Sequence, residues 1–394
     1  MENLSIVHVV NGRQKKLLQG HPWVYGNEIE RVEGEIEDGG LVTVVDFRGR
    51  YMGTGFYNSK SLITVRLLTH RQEEITDELI ASRVKAACDY RRFVMNRPGT
   101  DSCRLIYGEA DRLPGVIADR FGGVIVLQVL ALGMERFTQT IADALLACEK
   151  PDCLLLQNDD AIRRKEGMEC FTRVLYGTLP EENIIHENGV KLAVDVLGGQ
   201  KTGYFLDQKD NHLFVRQFCK DARVLDCFSY IGAFALNAAA AGAKEVTAVD
   251  ISEAAVQLIE KNAALNGADI TAVCANCFDF LRAQVKAGEK YDVVVLDPPA
   301  FTKAHANMAS ACRGYKEIAL SAMRLLPAGG VLATHSCSYH MPEEVFVNTV
   351  LSAAQDLHRQ VRVITLRRQD IDHPVLAGYP ESHYLKSLWL QMLD

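Results

Sequence analysis

Val224-Leu225-Asp226-Cys227-Phe228-Ser229-Tyr230-Ile231-Gly232 is an apolar strand that runs into a turn and then a helix. Gly232 is the only glycine in the turn, so the G-x-G-x-x-G spacing that lets backbone approach a pyrophosphate is missing. A dinucleotide site is disfavoured on that ground. The next strand, Val246–Asp250, ends in a carboxylate placed to accept hydrogen bonds from ribose hydroxyls. An acid there serves NAD and S-adenosylmethionine alike. The missing glycines separate the two, because S-adenosylmethionine has no phosphate.

Around this stretch, strands and helices alternate. The pattern predicts helices at Asp207–Phe218, Gly232–Ala241, Ser252–Asn266, near Phe278–Lys286, at Gly314–Leu326 and at Pro342–Leu357. Strands fall at Arg223–Phe228, Val246–Asp250, Thr271–Ala275, Tyr291–Asp297, Val331–His335, Val361–Leu366 and Tyr384–Met392. Alternation of this kind means an α/β domain with a doubly wound, mostly parallel sheet, assigned here to residues 181–394. Asn188-Gly189 between two apolar runs marks a hairpin at its start.

Residues 1–72 look all-β, with strands at Ser5–Val10, Leu41–Asp46 and Ser61–Leu68. Gly39, Gly40, Gly49, Gly53 and Gly55 are read as turns between them, which suggests a small barrel. Residues 73–180 form a compact α+β unit, with helices over Thr76–Met95 and from about Glu135 to Cys148. It holds no evident catalytic constellation. Glu109, Asp111, Asp119, Asp159 and Asp160 could imitate a metal site but fall in turns, where acids are common; no metal is expected.

The 394 residues are 48% hydrophobic and 24% charged, as in ordinary globular proteins. Eleven scattered cysteines suit a reducing cytosol, and neither a membrane span nor a leader is apparent, so a cytoplasmic location is expected. The net charge of −7 argues against indiscriminate coating of nucleic acid. RNA contact then depends on local clusters such as Arg13-Lys15-Lys16, Arg91-Arg92 or Arg163-Arg164-Lys165.

Gly329–Ser338, GGVLATHSCS, puts Cys337 just beyond a buried strand, at the sheet edge where α/β proteins bind ligands. A free cysteine is more often a packing residue, and the neighbouring strand end decides otherwise. There Asp297 precedes Pro298 and Pro299, which stiffen the loop and fix its carboxylate. Cys274-x-x-Cys277 lacks the second pair that a zinc site needs.

Taken together, HPWVY (21–25), KEGME (165–169), KTGYFLDQ (201–208), VLDCFSYIGAF (224–234), DVVVLDPPAF (292–301), ACRGYKEI (311–318) and SCS (336–338) resemble, in order, a known family. It is the RlmI-type large-subunit rRNA cytosine-C5 methyltransferases, within the class I methyltransferases. The resemblance covers the whole chain and implies a PUA barrel, a small α+β domain and a Rossmann-like S-adenosylmethionine-dependent domain. By position it implies a cofactor pocket of Gln208, Phe228, Ser229, Gly232, Asp250, Asn276 and Asp297. It makes Cys337 the nucleophile toward cytosine C6 and has Asp297 hold the N3/N4 edge. Pro298, Pro299, Phe301 and Arg313 would contact substrate. The partner implied is 23S rRNA, naked or in a partly assembled large subunit, with a homodimer left open.

Two positions depart from the family's pattern. Asn276 stands where Asp usually receives the adenine amino group, and Ala300 where Lys is usual. Ser229 has a second reading as a helix N-cap. The base for the C5 proton is not evident; Cys312 and His335 are candidates. Two rival readings remain: an amino-methyltransferase acting on a purine, which needs no thiol, and a catalytically inactive RNA-binding protein.

Overall fold

The computed structural model describes residues 4–199, 201–301 and 307–394. Among these, no helix is long and apolar enough to cross a membrane. The N-terminal sheet has six strands, in the order Trp23–Val24, Val65–Thr69, Tyr51–Tyr57, Leu41–Val45, Ser5–Val9 and Ile29–Glu33. Val7, Val9, Val42 and Val44 recur at the two-residue period of a strand and are fully buried. Gly53 and Gly55 lie inside a strand and not in turns. A Cβ on Gly55 would stand 2.2 Å from the Arg66 carbonyl oxygen, and one on Gly53 2.7 Å from that of Thr69. Here glycine serves close backbone approach.

The central sheet runs Phe171–Gly177, Cys153–Asn158, Val124–Val129, Val116–Phe121, Ser102–Tyr107. Helices Asp77–Val94 and Thr138–Glu149 bury Ile80, Val84, Ile141 and Leu145 against it. Its acids are structural, and Asp119, expected in a turn, lies within strand Val116–Phe121. Glu109 accepts from Trp23 Nε1 at 2.8 Å and Arg66 at 3.0 Å. Asp111 takes Arg91 at 2.6 Å, and Asp119 holds Arg104 through two bonds of 2.7 Å. No cluster that could hold a metal occurs among the described residues. Arg91 and Arg163, from the basic clusters open to RNA contact, are fully buried, Arg163 on the Val129 and Glu169 carbonyls.

The C-terminal sheet has seven strands: Thr271–Cys274, Glu245–Asp250, Arg223–Cys227, Val293–Leu296, Val331–Ser336, Lys386–Met392 and Val361–Arg367. The first five are parallel; Lys386–Met392 inserts antiparallel. Chain order reverses between Arg223–Cys227 and Val293–Leu296, which opens a crevice at their carboxyl ends. Helix Met308–Leu325 begins six residues before the expected Gly314. That glycine sits inside the helix and lets the Phe301 ring approach, for a Cβ there would meet Phe301 Cδ2 at 3.1 Å.

The loop after Val361–Arg367 ties the sheet to the rest of the chain. Fully buried Lys209 donates to Asp372 at 2.5 Å and lies 3.5 Å from Asp370. Arg97, from the central unit, also binds Asp370, at 3.0 Å. A buried ion pair stripped of one partner is strongly destabilising. Lys209 therefore obliges this loop to dock.

Candidate active site

A cavity of about 320 Å³ occupies the crevice, within the range of small-molecule sites. One wall is the turn after Arg223–Cys227. Phe228, Tyr230 and Gly232 have φ of +62°, +50° and +84°, so the chain winds tightly there at some steric cost. Hydrogen bonds hold that turn. Tyr230 N donates to Asp250 Oδ2 at 2.9 Å, and Phe228 N to Cys277 Sγ at 3.2 Å. Ser229 Oγ donates to the Asp226 carbonyl at 2.7 Å and accepts from Val249 N at 3.1 Å. Ser229 is thus not the helix cap, a place that Gly232 takes, and its hydroxyl is engaged inside the turn.

Asp250, Asn276 and Phe278 continue this wall. Asn276 caps helix Cys277–Ala287, its Oδ1 accepting from Phe278 N at 2.9 Å and Asp279 N at 3.4 Å. The oxygen expected to receive an adenine amino group already holds two amides. Its amide N–H groups remain as donors, which suits a ring nitrogen. Cys274 is exposed while Cys277 is buried under Phe228, so the pair serves the turn. A carboxylate, two phenyl rings and an amide, with no cradle of glycine amides, fit S-adenosylmethionine.

A further wall carries Asp297, Pro298, Pro299 and Cys337, with Phe301 bordering the cavity; Asp297 N donates to the Cys227 carbonyl at 3.3 Å, beside the turn. Asp297 and Cys337 lie just beyond two paired strands, in which Leu296 stands opposite Thr334. Gln208 Nε2 donates to Asp297 Oδ2 at 3.0 Å. Burial, reinforced by the nearby Asp207 carboxylate, pushes the Asp297 pKa up to about 7. Burial likewise pushes the Cys337 thiol up to about 11, against the pull of Lys201. Cys337 therefore rests as a thiol.

Several expected residues lie elsewhere. Arg313 is on the exposed face of helix Met308–Leu325, in a separate shallow depression with Arg282, Lys316 and Arg324. His335 is fully buried, 5.1 Å from the Phe234 ring, and burial pushes its pKa down to about 3. Cys312 packs against the core. Neither candidate base lines the cavity. Residues that do, and that sequence reasoning missed, include Tyr204, Asp207 and His212. His212 Nδ1 lies 2.6 Å from buried Glu187. Asp207 sits within KTGYFLDQ beside Gln208, and its position in that motif was the available signal.

Known proteins agree with this architecture. Residues 7–70 match the family model of a PUA-like domain, and residues 125–369, more than half the chain, that of an S-adenosylmethionine-dependent methyltransferase. The chain is 42% identical over 384 residues to a ribosomal RNA large subunit methyltransferase I of Klebsiella pneumoniae (strain 342), covering 96% of each. It is 41% identical to that of Salmonella enteritidis PT4, over 95% of this chain and 94% of the relative. A methyltransferase fold from Streptococcus mutans superposes with a TM-score of 0.84 at 20% identity, over 98% of this chain and 99% of that one. A second solved structure with the same scores and coverage holds SAH. With a PUA-like domain ahead of an S-adenosylmethionine-dependent enzyme domain, the chain belongs to the ribosomal RNA large subunit methyltransferase I family.

Proposed function

We propose that the protein methylates C5 of a cytosine in 23S rRNA, naked or partly assembled, through a covalent bond from Cys337 Sγ to cytosine C6. The observation that carries this reading is the pairing of Cys337 with Asp297 at adjacent strand ends, on the cavity that the cofactor turn also lines. In this reading Phe228, Asp250, Asn276 and Gly232 shape the cofactor wall, and residues 1–72, 73–180 and 181–394 form three units of which the last is catalytic.

When bound, S-adenosylmethionine supplies an electrophilic methyl group. Cytosine C5 is too weak a nucleophile to take it unaided. The Cys337 thiol gives its proton to solvent; addition of the thiolate to C6 pushes the C5–C6 π electrons through C4 toward N3, and Asp297, protonated below about pH 7, gives N3 a proton. C5 then has enamine character. After methylation, water takes the C5 proton, the ring double bond is restored as C6–S breaks, and Cys337 leaves as thiolate. The N3 proton returns to Asp297. Lys201 is the cation that favours the thiolate. The base must leave its stack to reach the cavity.

RNA carrying 5-fluorocytidine at the target traps the adduct, because fluorine cannot leave as a proton does. Wild-type protein with S-adenosylmethionine should give a denaturation-resistant protein–RNA band, and Cys337→Ala none. An adduct that persists in Cys337→Ala overturns the nucleophile. Undiminished methylation of cytidine RNA by that variant would point to a purine amino target instead.

A further inference from the structure

Asp207 is 2% exposed and lines the cavity shared by Asp297 and Cys337. Its two oxygens differ. Oδ2 accepts from Lys201 Nζ at 3.1 Å and from the Tyr384 hydroxyl. Oδ1 is buried and has no hydrogen-bond partner among the described residues. Burial alone would favour a neutral carboxyl. The charges of Lys201 and His373 and the bond from Tyr384 outweigh it and hold the group well below the usual carboxylate range. An ionised oxygen left bare costs free energy until a donor meets it.

Next to it stands the opposite kind of carboxyl. Gln208, the neighbouring residue, binds Asp297 Oδ2, which leaves Oδ1 of Asp297 to carry a proton. Two acids in one cavity with protonation pushed apart take different roles. One is an acceptor and the other a donor.

We propose that Asp207 Oδ1 accepts a hydrogen bond from the exocyclic amino group of the target cytosine while Asp297 donates to N3, and that this pair excludes uracil. The inference rests on the C5 reading above and adds a specificity residue to it. Cytosine presents an acceptor at N3 and a donor at N4. Uracil reverses both, so its O4 would face the Asp207 anion and its N3–H the Asp297 proton. Sites built around such buried bonds reject the mismatched analogue by far more than an apolar pocket can. Lys201 and Tyr384 act as positioning residues: they occupy Oδ2 and leave Oδ1 as the free acceptor.

The test compares adduct formation on RNA bearing 5-fluorocytidine or 5-fluorouridine at the target, with wild type and Asp207→Asn, alongside S-adenosylmethionine affinity by calorimetry. Wild type should prefer 5-fluorocytidine by on the order of 100-fold or more. Asp207→Asn, which offers an amide donor, should lower that ratio at least tenfold with cofactor affinity unchanged. An unchanged ratio with weakened cofactor binding overturns the proposal and assigns Oδ1 to the cofactor. Equal reaction of wild type with both RNAs overturns it with no variant needed, which covers a failure of Asp207→Asn to fold. No wild-type adduct on either RNA would instead bring down the C5 reading itself.

Discussion

Asn276 and Asp250, on one wall of the cavity, each hold two backbone amides of their own chain. On the other wall, Asp207 keeps a buried oxygen without a partner among the described residues, and burial pushes the Asp297 and Cys337 pKa values up to about 7 and 11. Both walls have polar groups at the ends of parallel strands, so fold alone does not separate them. What separates them is whether the chain itself satisfies each group. A wall that positions a ligand is complete before the ligand arrives. A wall that does chemistry holds groups whose partner comes with the substrate, at a cost in stability met elsewhere in the fold.

The comparison can be broken most severely at Asp297. Asp297→Asn should lower methylation by on the order of 10²–10⁴-fold while cofactor affinity stays within a few-fold. Rate against pH gives a second readout. The neutral form of Asp297 is present below about pH 7 and is lost as pH rises through that value, so its contribution to the wild-type rate should fall there. Asp297→Asn should lack that limb.

A smaller effect is expected at the turn. Gly232 has φ of +84°, and a Cβ would meet Ile259 side-chain carbons at 3.3 Å. Gly232→Ala should lower stability by about 1–2 kcal/mol in denaturant unfolding and weaken cofactor binding. The smallest change belongs to Asn276→Ala, which removes a helix cap worth about 1 kcal/mol. Asn276→Asp should keep the cap and the stability. If Asn276→Ala impaired chemistry as much as Asp297→Asn does, the contrast between the walls would fail.

The parallel sheet was legible because apolar runs and helical periods alternate regularly from Arg223 to Asp356. So were the strand ends that carry Asp250, Asp297 and Cys337. Strands that depend on glycine were not. Gly53 and Gly55 carry the local signal of a turn, and only the approach of Arg66 and Thr69 shows why a strand needs them. Charge misled in the same way. Arg91 and Arg163 sit in basic runs, yet their partners, Asp111 and Glu135, lie 20 and 28 residues along the chain. Asp207 was missed although its motif was in view, because an unpaired oxygen exists only once Lys201, Tyr384 and the cavity surround it. His335, two residues from Cys337, looked like a partner; the strand carries its ring into the core.

Lys209 has a consequence in the order of synthesis. It is buried with no exposure, and Asp372, which neutralises it, leaves the ribosome 163 residues later. Until then, closing the segment that also carries Asp207 and Gln208 would bury an unmatched cation. The strand Lys386–Met392, which pairs between Val331–Ser336 and Val361–Arg367, emerges later still. The nascent chain thus has its cofactor turn long before the ion pair and the strand that complete its reactive wall.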